Sequence, residues 1–350
     1  MYKKQLDLGM ASLILIAAFC TQFFFQLVVY LFKLPSGVYT WIVVVANQLI
    51  LLGVCLAFAF TQKFDFVDVL GLKRPPKWYL FPIFIFVAFA CLFAFAPLSG
   101  LFKRMLEKLG YDFTVNYHIS MNNTGLFVLS FFALTLLPVV GEETALRGVL
   151  FSGSRKVSPV FAIVYSALIF ALMHGNMTQL IHQFLLGLVM GYLVCVTHSI
   201  YASAVIHSAN NGLALLFENG MQNGWIDPRF YWYLNGELGI KTLLIGMGTA
   251  FFALVVLLVF VTLLLHRDRA KSSDDLSVPV GISVYLDYLA GLPLEEEKAD
   301  AEEGKYFGED SVTFKYRRRE VPDKFSILMA VALAVMLAML VLATLIPGGS

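Results

Sequence analysis

The chain has 350 residues, of which 59% are hydrophobic and 14% charged, and its mean hydropathy is +0.77. A soluble domain is nearer half apolar and a quarter charged, so composition excludes an ordinary globular enzyme and points to an all-α, polytopic transmembrane helical bundle. A formal net charge of +1 argues against a nucleic-acid partner.

Nine apolar segments follow in chain order: 8–32, 38–60, 79–102, 126–151, 159–173, 179–196, 202–217, 239–265 and 325–346. The first is too long for a cleaved signal peptide and ends in no small-residue cleavage pattern, so it reads as a permanent span. The fifth and seventh are short against the roughly 20 residues a span needs, as expected of helices buried inside a bundle. Gly187 and Gly191 form a GxxxG pair in the sixth segment. They predict close helix packing within the bundle, with a dimer interface as the alternative, so the oligomeric state stays open. The four cysteines, Cys20, Cys55, Cys91 and Cys195, all lie in apolar runs with no CxxC pair. Core or lipid-side thiols are expected, not a zinc knuckle or redox motif.

Basic residues mark alternate loops. Lys3 and Lys4, then Lys63, Lys73, Arg74 and Lys77, then Arg155 and Lys156, then Arg267, Arg269 and Lys271, and finally Arg317 to Arg319 fall on one side if all nine segments cross. The positive-inside rule makes that side cytoplasmic, giving an N-in, C-out protein of the cell membrane, with Lys103, Arg104 and Lys108 as the exception. Residues 1–265 then form the membrane-embedded core, 266–324 a charged cytoplasmic linker, and 325–350 a C-terminal transmembrane helix. The linker holds the acidic cluster Glu295, Glu296, Glu297, Asp300, Glu302 and Glu303 before the arginine triplet. It reads as a disordered tether rather than a small cytoplasmic appendage, its basic end facing anionic headgroups.

Chemistry concentrates within 126–217. Ionisable side chains at bilayer depth are costly and usually mark function. Glu142, Glu143 and Arg147 share one span; four-residue spacing on an α-helix pairs Glu143 with Arg147, while Glu142 points elsewhere. An isolated ion pair could serve order alone, but three charges in one span are harder to explain that way. Phe170 and His174 share a face one turn apart, as do His207 and Asn211. Lone histidines and asparagines commonly make interhelical hydrogen bonds, so each pattern separately has a structural reading. Depth favours the joint one: measured from cytoplasmic turns, Glu142, His174 and Asn211 lie about 20, 24 and 18 Å along their helices at 1.5 Å per residue. A carboxylate and an imidazole at one level can activate a water, and His207 with Asn211 can receive the developing negative charge. The same groups could instead bind zinc through Glu142, His174 and His207, as a metalloprotease would. The metal-free version, with no cofactor, is preferred, Arg147 keeping a carboxylate ionised.

EExxxR (Glu142, Glu143, Arg147), FxxxH (Phe170, His174) and HxxxN (His207, Asn211), in that order on successive apolar segments, resemble the CPBP family of intramembrane proteases. This family is also called Abi or CAAX protease, and type II CAAX prenyl endopeptidases are among its members. The likeness covers roughly 64–217, including Leu70-Gly71-Leu72-Lys73-Arg74-Pro75. It implies an eight-helix core, here with a ninth C-terminal span. It also implies intramembrane endopeptidase activity on a membrane-associated peptide, prenylated or leader-like. In that family pattern Glu142 and His174 activate the water, His207 and Asn211 form the oxyanion hole, and Glu143 and Arg147 support Glu142. Relatives tied to bacteriocin self-immunity leave a non-catalytic membrane scaffold as the alternative. HExxH, GxSxG and GxGD motifs are absent from the sequence, and no repeat of broken helices supports a transporter.

Overall fold

The computed structural model describes residues 6–72, 75–111, 124–270, 295–297, 313–315 and 322–343. Lys3, Lys4, Lys73, Arg74, Lys271, Arg317 to Arg319, and Asp300, Glu302 and Glu303 of the linker lie outside the described residues. Within the linker, Glu295–Glu297 pairs antiparallel with Thr313–Lys315.

The helices are α1 (Leu8–Leu31), α2 (Ser36–Gln62), the single turn α3 (Phe66–Val69), α4 (Leu80–Lys108), α5 (Thr124–Phe131), α6 (Phe151–Ser154), α7 (Pro159–Met173), α8 (Leu180–Thr197), α9 (Ile200–Gln222), α10 (Pro228–Leu234), α11 (Ile240–Ala270) and α12 (Lys324–Ala343). Their starts follow local chemistry. Asp7 accepts from the Met10 amide at 2.7 Å, and Ser158 accepts from the Phe161 amide just before Pro159, so orphan amides are capped where each helix enters.

Among the described residues seven helices are long and apolar enough to cross a membrane, counting Thr124–Ser154 as one. The chain is a multi-pass helical membrane protein. The two expected spans outside that set are also helices: α7 is short, and α9 carries His207, Asn210 and Asn211, which lower its hydropathy. Both pack inward, with Ala162, Ala167 and Ile169 of α7 and Ala202 and Ile206 of α9 fully buried.

The fourth segment departs from the α-helical expectation. Phe132–Leu136 and Val139–Leu150 are π-helical, so one crossing element runs α–π–π–α. An i→i+5 ladder widens each turn and shortens the rise per residue. The α-helical rise of about 1.5 Å per residue therefore does not hold over the stretch that carries Glu142.

Small residues set the packing around this element. A Cβ on Gly141 would stand 2.8 Å from the Gln48 carbonyl, so α2 lies directly on the π-helix there. Gly71 has φ +64°, and a Cβ there would meet the His198 carbonyl at 2.6 Å, seating the Leu70–Leu72 stretch on the turn between α8 and α9. Ser152 Oγ donates to the Val69 carbonyl from the other side at 2.9 Å. Gly187 and Gly191 face α7 inside the chain, which accounts for the GxxxG pair without a second copy. Tyr165 of α7 donates to the Ala330 carbonyl at 3.0 Å, docking α12 on the bundle. Cys55, Cys91 and Cys195 are buried and Cys20 is exposed, and none of the four is in a disulfide.

The two glycines of α8 differ in tolerance. A Cβ at Gly187 meets Ala167 Cα at 2.9 Å, while one at Gly191 meets Ile163 Cα at 3.3 Å. Gly187→Ala is expected to destabilise by about 1–3 kcal/mol through overpacking, and Gly191→Ala by less. Thermal melting of the two purified variants in one detergent checks the order.

Candidate active site

The π-helical turn places the charged side chains. On this run Glu143 faces Arg147, four residues on, while Glu142 faces Gln48 of α2, with His207 Nε2 3.8 Å from its other oxygen. The expected division holds: Glu143 pairs with Arg147, and Glu142 turns to a different neighbour, Gln48 of α2. Arg147 Nη1 donates to Glu143 Oε1 at 3.0 Å, and the two side chains are 0% and 1% exposed. Such a pair is sheltered from screening, and removing one partner would strand the other charge. Its flank is closed by Phe170, whose ring lies 4.4 Å from Arg147 Cζ in cation–π geometry.

Phe170 is also the meeting point of the two motif histidines. Its ring stands edge-on to His174 at 4.9 Å and to His207 at 5.4 Å between centroids. Three helical elements thus meet at one aromatic ring: α7 with Phe170 and His174, α9 with His207, and the π-helix with Arg147.

Hydrogen bonds fix both imidazoles. His174 Nδ1 lies 2.7 Å from the Phe170 carbonyl, which can only accept, so Nδ1 carries the proton and Nε2 of the neutral ring keeps its lone pair. His207 Nδ1 donates to Glu143 Oε1 at 2.8 Å, turning Nε2 toward Glu142 Oε2 at 3.8 Å. Glu143 therefore holds both Arg147 and His207 through one oxygen. Asn211 is half-buried and its Nδ2 donates to the Leu134 carbonyl at 3.2 Å, tying α9 to the first π-helical turn.

Two features carried no sequence signal. Gln48 of α2 donates from Nε2 to Glu142 Oε1 at 2.9 Å. Asn210 Nδ2 donates to His182 Nε2 at 3.3 Å, forming a half-buried His–Asn pair beside HxxxN. Neither belongs to a motif, and their partners lie 94 and 28 residues away in the chain. A polar residue within an apolar run was the available hint.

Among the described residues, no three His, Cys, Asp or Glu side chains converge in a metal-ligating group. The side-chain geometry thus does not fit the zinc arrangement through Glu142, His174 and His207. A groove of about 990 Å³ between α4, α10 and α11, lined by Phe86, Phe93, Phe230 and Tyr233 among others, contains none of the ionisable cluster.

Searches of curated proteins and of solved structures gave no match. A family model does match, over residues 124–213, and is described as "Type II CAAX prenyl endopeptidase Rce1-like". That stretch runs from the start of α5 to just beyond Asn211 and contains every motif residue. Residues 124–213 are therefore similar to the Rce1-like type II CAAX prenyl endopeptidases.

Proposed function

We propose that the protein is an intramembrane endopeptidase that hydrolyses a peptide bond of a membrane-associated substrate with an activated water. The observation that carries this reading is the grouping of buried Glu142, Glu143, Arg147 and His207 with half-buried His174, where Phe170 touches Arg147 and both histidines, within the segment that matches the Rce1-like family model. Glu142, with the free Nε2 of His174, takes a proton from water as the resulting hydroxide adds to the scissile carbonyl. His207 protonated on both nitrogens, with Glu143 behind Nδ1, presents Nε2–H to the oxyanion. The remaining amide hydrogen of Asn211 is the second donor. Collapse of the tetrahedral species breaks the C–N bond, and the proton held by Glu142 passes to the departing amine. One water and one peptide thus give a new carboxylic acid and a new amine, or after proton transfer between them a carboxylate and an ammonium.

Arg147 and Glu143 act behind the reacting atoms, keeping His207 oriented. A non-catalytic scaffold would also retain so buried an ion pair, and the variants separate the two readings. The substrate class is a lipid-embedded or lipid-anchored peptide, prenylated or leader-like. The proposed topology is N-in and C-out, with residues 266–324 cytoplasmic.

Purified protein is expected to cleave a membrane-associated peptide near its C-terminus. Glu142→Ala and His174→Ala should abolish cleavage with melting nearly unchanged, and Asn211→Ala should slow it by about 10²- to 10³-fold. Arg147→Met should behave differently, losing activity and about 3–5 kcal/mol of stability together, because Glu143 is left as an unpaired buried charge. Cleavage that survives Glu142→Ala would refute the mechanism. Elemental analysis of an active sample settles the metal: activity without stoichiometric zinc is expected, and loss of activity on zinc removal with recovery on zinc return would contradict it.

A further inference from the structure

Glu142 is held by a residue from outside the matched domain. Gln48 lies near the middle of α2, and its amide donates to Glu142 Oε1 at 2.9 Å with both side chains buried. Glu142 Oε2 has no hydrogen-bond partner and is the oxygen turned toward His207. One carboxylate oxygen is therefore tethered and the other is free to take a proton.

The tether is itself anchored. Next along α2, the Asn47 carbonyl accepts from Gln22 Nε2 at 2.7 Å and Asn47 Oδ1 accepts from Gln26 Nε2 at 3.2 Å, both from α1. On the other side, Gly141 lets α2 approach: a Cβ there would stand 2.5 Å from Gln48 Oε1 and 3.0 Å from Gln48 Cα. A polar chain thus runs from α1 through α2 to Glu142 inside an otherwise apolar packing layer. Placing four amide side chains there costs more than apolar packing would unless they perform a task.

We infer that Gln48 is a positioning residue for Glu142, supplied by the α1–α2 pair, so that the Rce1-like segment 124–213 is an incomplete site without its N-terminal helices. This rests on the hydrolytic reading proposed above. A donor on one oxygen fixes the carboxylate rotamer and leaves the second oxygen as the only basic one, which restricts proton uptake to the side facing His207.

The test is Gln48→Met, which keeps length and volume but removes the donor. With a membrane-anchored peptide as substrate, kcat is expected to fall about 10- to 100-fold, the worth of one hydrogen bond to a charged group, with KM within about two-fold of wild type because no substrate contact is lost. A second readout does not need turnover. A hydrophobic carbodiimide labels buried carboxyls, and labelling of Glu142 relative to Glu143, read by mass spectrometry, should rise several-fold once the donor is gone. Should Gln48→Met fail to insert, Gln26→Leu loosens Asn47 from α1 and should shift kcat and labelling in the same directions with smaller amplitude. Unchanged kcat and labelling would overturn the inference. So would a parallel fall of kcat, KM and melting temperature, which marks a packing role only. If the wild type cleaves no peptide, the hydrolytic reading fails, and the labelling ratio alone then decides whether Gln48 positions Glu142.

Discussion

Arg147 is the constraint around which the site is organised. A guanidinium is never neutral at working pH, and this one is buried within a membrane-spanning element. Its charge has to be answered locally. Glu143 answers it through a 3.0 Å ion pair, and Phe170 covers it with a π face. Each partner then fixes another group: Glu143 holds His207, and Phe170 is ringed by both imidazoles. One obligatory charge in a low-dielectric interior thus organises a polar cluster drawn from three helical elements.

The π-helical run carries three of the cluster's charged groups, Glu142, Glu143 and Arg147. Its two carboxylates diverge: Glu143 turns to Arg147 and His207, and Glu142 to Gln48 of α2, with His207 Nε2 3.8 Å away. π-helical turns are uncommon and recur at functional sites; here the glycines at 141 and 148 let α2 and Leu70 pack closely on the run.

Much of this was legible in the sequence. Apolar run lengths located the membrane helices, including the short α7 and the polar-marked α9, and fourfold spacing identified the Glu143–Arg147 pair and the Phe170–His174 face. What escaped had a common cause. Nothing in Val139–Leu150 announces an i→i+5 ladder, since the choice depends on the neighbours that press against Gly141 and Gly148. Gln48 and the His182–Asn210 pair act across large sequence separations, and a lone amide in an apolar run resembles any other interhelical hydrogen bond. The assignment of Glu143 to Arg147 alone was also incomplete: Glu143 is shared with His207, a contact spanning 64 residues.

The most direct measurement is an experimental structure of the Glu142→Gln protein with an uncleaved membrane peptide bound. The scissile carbonyl carbon is expected about 3–3.5 Å from a water in contact with residue 142, with His174 and His207 on either side of it. A peptide seated elsewhere on the bundle, with no backbone carbonyl entering the space beside Phe170, would contradict hydrolysis by this cluster.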